Sequence, residues 1–95
     1  MYIINLTYKQ PLERVDFYLD SHVAYLEKQY DAGLFLLSGR KNPRIGGLIL
    51  AAISDKRKLL AVINEDPFKI NDVAEYELIE FIPSKSSEAL RFLCS

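Results

Sequence analysis

The chain has 95 residues, of which 49% are hydrophobic and 26% charged, and its net charge is −1 at pH 7. This length supports one domain, at residues 1–95, and the balanced charge argues against a protein that mainly grips nucleic-acid backbones. Its apolar runs are shorter than the roughly 20 residues that a membrane-spanning helix needs. No targeting segment is recognisable, so we predict a cytoplasmic protein without membrane or nucleic-acid partners.

The N-terminal part predicts a strand followed by a long amphipathic helix. Residues 1–8 are rich in β-branched and aromatic side chains, which favour a strand. Residues 12–32 carry apolar side chains at helical spacing, and Gly33 is a typical left-handed terminator. His22 lies at the edge of the predicted apolar face. That face is expected to consist of Leu12, Val15, Leu19, Val23, Leu26 and Tyr30.

The rest of the chain predicts a hairpin, a second helix, a fourth strand and a short C-terminal helix. Pro67 disfavours helical geometry at the residue before it and should end the second helix. The predicted elements are strands at 34–38 and 48–53, a helix at 55–65 capped by Ser54, a strand at 73–82, and a helix at 87–94 that packs through Leu90 and Leu93.

This order of elements is β-α-β-β-α-β with a helical tail, which predicts a ferredoxin-like α+β sandwich. Both helices then lie on one face of a four-stranded sheet, and the other face needs cover. The third strand is apolar on both of its sides, since residues 48–53 read LILAAI. We therefore expect a homodimer in which the open sheet faces pack together.

His22 and Asp66 are the first candidate for a chemical site. Histidine is the side chain best suited to exchange a proton near neutral pH. A carboxylate bonded to one ring nitrogen would fix the tautomer and leave the other nitrogen to act on a substrate. The alternative is a half-buried core histidine with Asp66 as a turn residue. The 44 residues between the two do not choose between these interpretations.

Two basic clusters are further candidates. Arg40 follows Ser38 and Gly39, and an arginine there could hold a substrate carboxylate through paired hydrogen bonds. Lys41 is interpreted as part of a solvated loop. The run at 56–58 is interpreted as a solvated helix face, with nucleic-acid binding as the alternative.

The histidine and cysteine content bears on metals and on the compartment. One histidine and one cysteine, Cys94, argue against a transition-metal site, and we predict no metal and no cofactor. A single cysteine cannot form a disulfide within the chain, which favours a reducing compartment.

Several short motifs occur together in a characteristic order. They are His22-Val23-Ala24-Tyr25-Leu26 in the first helix, Gly33 before a strand, and Asp66-Pro67-Phe68 after the second helix. With these motifs and the stretch at 38–51, residues 1 to about 83 resemble the YciI-like, or YCII-related, family. Many members of that family carry Gly-Pro where this chain has Gly39-Arg40.

The resemblance implies a ferredoxin-like fold of the dimeric α/β barrel type and an active site built from His22 and Asp66. It leads to the hypothesis of a cofactor-free lyase or isomerase that moves a proton on a small anionic or ring-derived metabolite. Ser38, Gly39 and Arg40 are the predicted substrate-binding residues. The alternative hypothesis is a dimeric module that binds a small ligand or a partner without chemistry.

Overall fold

The computed structural model describes residues 1–94 and shows a four-stranded antiparallel sheet with helices packed on one face. The sheet order β2-β3-β1-β4 confirms the predicted ferredoxin-like α+β arrangement. The strands are β1 (Tyr2–Tyr8), β2 (Phe35–Arg40), β3 (Gly46–Ala51) and β4 (Ala74–Glu80). The helices are α1 (Leu12–Asp31), α2 (Lys56–Ile63) and α3 (Pro67–Ile70), followed by a 3-10 helix at Glu88–Leu93.

The core lies between the helices and the inward face of the sheet. Strand β1 alternates strictly, with Tyr2, Ile4 and Leu6 buried. Phe35 of β2 is also buried, with 2% of its surface exposed. Burying one such side chain stabilises the fold by roughly 1.5–3 kcal/mol, so this layer supplies much of the driving force for folding.

Helix α1 forms where it was predicted, and Gly33 ends it with a φ of 74°. The prediction of its buried face was wrong in part. The residues buried against the sheet are Val15, His22, Tyr25 and Gln29, whereas 45% of Leu12 and 43% of Val23 is exposed. The helix is rotated so that the edge of the predicted apolar face meets the sheet. The middle of that face borders a cavity.

Both strands of the hairpin extend closer to the connecting loop than the sequence predicted. Strand β2 continues beyond the predicted end at Ser38 through Gly39 to Arg40, so Arg40 belongs to a strand and not to the loop. Strand β3 begins at Gly46, which lies against the backbone of β1. A Cβ atom at Gly46 would overlap the Leu6 carbonyl group. Close approach of two strands therefore requires this glycine.

The segment between β3 and β4 contains two helices where one was expected. Asp55, and not Ser54, caps α2 by accepting a hydrogen bond from the Arg57 backbone N–H at 2.9 Å. Helix α2 ends at Ile63, and Asp66 then caps the separate four-residue helix α3. Pro67 occupies the first position of α3, where its missing N–H group costs nothing.

The C-terminal segment forms a 3-10 helix at Glu88–Leu93 instead of an α-helix. No residue of this helix is buried, and 48% of Leu90, one of its two predicted packing residues, is exposed. Leu93 is half-buried.

The sheet face opposite the helices carries a continuous apolar row. The strand register places Leu37, Leu50, Ile3 and Ile79 side by side across all four strands. Leu37 is 67% exposed and Ile79 is 45% exposed. Nothing in residues 1–94 covers this row.

Candidate functional site

The Asp66 side chain is fully buried at the start of α3. Its Oδ1 atom accepts a hydrogen bond from the Phe68 backbone N–H at 2.9 Å, which satisfies one of the free donors at the helix N-terminus. Asp-Pro-Phe is therefore a capped helix start whose carboxylate cannot move without losing that bond. The sequence places this carboxylate in a loop, and the cap gives it a fixed direction.

His22 of α1 meets this carboxylate directly. The Nδ1 atom of His22 lies 2.8 Å from Oδ1 of Asp66, and both side chains are buried. The imidazole also lies flat on the Phe68 ring, with the ring centroids 4.0 Å apart and the planes inclined by 4°. Two residues of the Asp-Pro-Phe segment thus hold the ring, one through its edge and one through its face.

The second carboxylate oxygen of Asp66 is bonded to a residue that the sequence did not single out. The Tyr76 hydroxyl group donates a hydrogen bond to Oδ2 at 2.6 Å. Burial, and then the nearby Asp66 charge, raise the pKa of Tyr76, so the phenol stays protonated and remains a donor. Strand alternation alone would have placed Tyr76 on the inward face, but it gives no sign of its partner.

Tyr25 is a buried tyrosine next to the histidine, with the ring centroids 6.2 Å apart. Its hydroxyl group donates to the Val62 carbonyl oxygen at 2.8 Å and makes no hydrogen bond to Asp66. Burial, followed by the charges of Asp66 and Glu65, raises the pKa of Tyr25. This tyrosine ties α1 to α2.

These contacts assign the protonation of the imidazole. The Asp66 carboxylate accepts from a backbone N–H, a phenol and the histidine, which is the pattern of an ionised carboxylate. Because such a group only accepts hydrogen bonds, the shared proton lies on Nδ1 of His22. In the neutral ring, the Nε2 atom then carries the lone pair. It has no hydrogen-bond partner among residues 1–94 and is not a fully enclosed polar atom.

A cavity of about 170 Å³ lies between α1 and the inward face of the sheet, and His22 lines it. The row Arg40, Gly47, Leu6 and Tyr76 crosses the sheet on this side, and Gly47 contributes no side chain to it. The apolar part of the wall consists mainly of Leu6, Leu19, Val23, Leu26, Leu48 and Ile49.

The three predicted substrate-binding residues, Ser38, Gly39 and Arg40, all line this cavity. Arg40 is exposed and makes no hydrogen bond or ion pair within the described chain. The Ser38 hydroxyl group accepts a hydrogen bond from the Tyr30 hydroxyl group at 2.5 Å, which fixes its direction.

Other basic residues are occupied or lie elsewhere. The Lys41 ammonium group donates to the Thr7 hydroxyl oxygen at 3.2 Å, and Arg44 forms an ion pair with Asp16. The pKa of Arg44 is raised by its hydrogen bond to Asp16. The run at 56–58 is exposed on α2, and none of its residues lines the cavity.

A family model described as the YCII-related domain matches residues 1–82. The chain belongs to the YCII-related family. The matched range includes every residue of the cavity and of the His22–Asp66 pair, and it stops before the C-terminal 3-10 helix. No curated protein matches this YCII-related chain.

One solved structure similar to the YCII-related protein is the 5-chloro-2-hydroxyhydroquinone dehydrochlorinase of Burkholderia phenoliruptrix, in complex with 2,5-dihydroxybenzoquinone. The TM-score is 0.65 at 15% sequence identity, and the match covers 85% of this chain and 93% of the dehydrochlorinase chain. At this identity the likeness shows a shared fold.

Within residues 1–94, no group of three or more His, Cys, Asp or Glu side chains is placed to hold a metal ion. No helix in the same range has the length and apolar character needed to cross a bilayer.

Proposed function

We propose that this YCII-related protein is a cofactor-free enzyme that moves a proton on a small anionic or ring-derived substrate, in a lyase or isomerase reaction. The observation that supports the proposal is that the two nitrogen atoms of one imidazole ring have different surroundings. Nδ1 of His22 is bonded to buried Asp66, and Nε2 has no protein partner at the cavity. This geometry is that of a histidine base with an orienting carboxylate.

In the proposed step, Nε2 of His22 takes a proton from an acidic carbon or hydroxyl group of the substrate. The electron pair of the broken bond then forms a new double bond. In a lyase reaction it expels a leaving group, and in an isomerase reaction the proton returns at another atom. Asp66 stabilises the imidazolium through the Nδ1–H bond and keeps its own proton state.

The cavity supports a single-ring substrate. A dry cavity of about 150 Å³ is large enough to hold benzene, and the cavity beside His22 has a similar volume of about 170 Å³. Its walls are mainly apolar, and Arg40 provides the one positive charge at its lining. The dehydrochlorinase of similar fold was solved with a single-ring quinone, which is a ligand of the same size class.

We also propose that the protein is a homodimer in which two open sheet faces pack together. The support is the exposed apolar row of Leu37, Leu50, Ile3 and Ile79. An apolar surface of this kind on a small domain is typical of an interface. A cytoplasmic location remains our prediction, based on the single cysteine, Cys94.

Proton transfer can be tested without knowledge of the natural substrate. The probe is 2,5-dihydroxybenzoquinone in D₂O, and the measurement is deuterium incorporation at its ring carbons. Each exchange adds a deuteron to a ring carbon and then removes the proton from that carbon, so an acid–base group such as His22 can serve both transfers. We expect the protein to accelerate this exchange and His22→Gln to lower the acceleration by roughly 10²–10⁴-fold, the usual contribution of one acid–base group. Asp20→Asn, an exposed change on the same helix, should have no effect.

The alternative of a non-catalytic binding module makes a different prediction. In that case the probe binds, as measured by calorimetry, but its exchange rate equals the rate in buffer. Circular dichroism spectra of both variants must match the wild-type spectrum. Acceleration that survives His22→Gln would contradict the proposed role of the histidine.

A further inference from the structure

Three structural elements deliver hydrogen-bond donors to the Asp66 carboxylate. Helix α1 provides Nδ1 of His22 at 2.8 Å, α3 provides the Phe68 N–H at 2.9 Å, and β4 provides the Tyr76 hydroxyl at 2.6 Å. The first two share Oδ1, so the phenol is the only protein donor to Oδ2 within residues 1–94. The direction of the carboxylate therefore depends on a group outside the His22–Asp66 pair.

The hydroxyl group of Tyr76 is not explained by packing alone. Tyr76 lies in the same inward row of the sheet as Leu6, where an apolar side chain would be sufficient for the core. Its phenol reaches Asp66 across ten residues of chain and stays protonated. The hydroxyl of this half-buried side chain donates to a fully buried carboxylate, which makes a charge-assisted bond, among the stronger hydrogen bonds in proteins.

We propose that Tyr76 is a positioning residue of the site, whose phenol holds Oδ2 of Asp66 so that Oδ1 receives the Nδ1 proton of His22. This inference rests on the proposed function, because it concerns the same pair. Without the phenol, Oδ2 becomes a buried carboxylate oxygen with no donor. The carboxyl group is then free to turn, and the Nδ1–H bond of His22 weakens.

The test uses the fact that His22 is the only histidine in the chain. Imidazole ¹⁵N labelling therefore gives two ring-nitrogen signals, both from His22, and their couplings to the carbon-bound ring protons distinguish Nδ1 from Nε2. In the neutral ring of the wild type we expect the Nδ1–H tautomer and a strongly deshielded Nδ1 proton. In Tyr76→Phe we expect a larger share of the Nε2–H tautomer and loss of the deshielded proton signal.

Tyr25→Phe is the matched control. It removes the hydroxyl of a buried tyrosine beside His22, but that hydroxyl donates to the Val62 carbonyl and not to Asp66. We expect the imidazole signals of this variant to equal those of the wild type. Equal changes in both variants would show that any loss of a buried hydroxyl disturbs the ring, and would overturn the proposal.

A second substitution keeps the test decisive if Tyr76→Phe does not fold. Tyr76→3-fluorotyrosine, introduced by nonsense suppression, keeps the hydroxyl but makes it more acidic and a stronger donor. We expect a small shift of the Nδ1 proton signal in the folded protein, since Oδ1 and Oδ2 share one charge. An unchanged signal would assign Tyr76 a structural role only.

These outcomes are separate from those of the proposed function. The nitrogen signals are measured without substrate, so they report on Tyr76 even if the protein catalyses nothing. The converse pair of results is that the wild type exchanges the probe through His22 while the Tyr76→Phe variant keeps the wild-type imidazole signals. That pair of results would support the proposed function and refute this inference. Where exchange is measurable, we expect Tyr76→Phe to lower kcat and leave KM unchanged.

Discussion

At the scale of single residues, the site separates a buried polar network from an open apolar cavity. His22 stands at the boundary, with its Nδ1 edge toward Asp66 and its ring on Phe68. Arg40 lies on the cavity lining at the end of β2, and its guanidinium group has no partner in the described chain. An arginine without an internal partner is available to an anionic ligand.

The prediction at this scale concerns Arg40. We expect Arg40→Gln to weaken binding of an anionic single-ring ligand by about tenfold, because a charge-assisted contact is worth about 1.4 kcal/mol or more. Binding of a neutral ring of the same size should be unchanged. Isothermal titration calorimetry with such a pair of ligands measures both effects.

The matched control is Lys41→Gln, which removes the neighbouring positive charge. Lys41 bonds to Thr7 and does not line the cavity. If both variants lose the same affinity, the effect is a general one of net charge, and Arg40 does not contact the ligand.

At the scale of secondary-structure elements, the four-residue helix α3 positions the two residues that hold His22, namely Asp66 at its N-cap and Phe68 in its first turn. It is too short to be stable alone and depends on its cap and on burial of Phe68, of which 1% is exposed. The same Asp66 side chain caps this helix and orients His22, so the local structure and the candidate site depend on one carboxylate. Loss of the cap would affect both.

The second prediction compares the two aspartates that cap helices. Asp66→Ala leaves the Phe68 N–H, the Tyr76 hydroxyl and the histidine without an acceptor in the interior. We expect it to lower the free energy of unfolding by about 2–4 kcal/mol. Asp55→Ala removes an exposed cap with the same 2.9 Å geometry and should cost about 1 kcal/mol.

Urea unfolding followed by circular dichroism measures both values. Comparable losses for the two variants would mean that the buried bonds to Asp66 add little to the stability of the fold. In that case the network around the carboxylate would be retained for reasons other than stability.

At the scale of the whole molecule, the two faces of the sheet differ. The inward face holds the core and the cavity, and the outward face carries the exposed apolar row with Asn5 and Glu77 beside it. Asn5 donates to Glu77 at 3.0 Å, while its own Oδ1 atom is buried without a partner. The outward face is therefore apolar at one end and polar at the other.

The third prediction tests the proposed dimer. Ile79→Glu adds a second negative charge next to Glu77 on the outward face and should weaken dimerisation at least tenfold. Leu60→Glu is the control, because Leu60 on α2 has nearly the same exposure, 43% against 45% for Ile79, and lies in the helical layer. Sedimentation equilibrium measures the dissociation constant. A wild-type monomer at micromolar concentrations would refute the dimer.

The sequence by itself determined the order of the four strands and the two longer helices, because apolar periodicity and the Gly and Pro signals are local properties. It also pointed to His22 and Asp66, though only as one of two open interpretations. Gly33 was predicted as the end of α1 for the same local reason, since few other residues adopt its positive φ.

Only the tertiary structure decided which face of α1 meets the sheet, since several faces of that helix are apolar enough to pack. It alone brought Asp66 to His22 across 44 residues and gave Tyr76 its partner. It also placed Arg40 on a strand at the cavity. Such contacts depend on how elements pack against one another, and no local pattern in the chain encodes the distance between two side chains that meet only after folding.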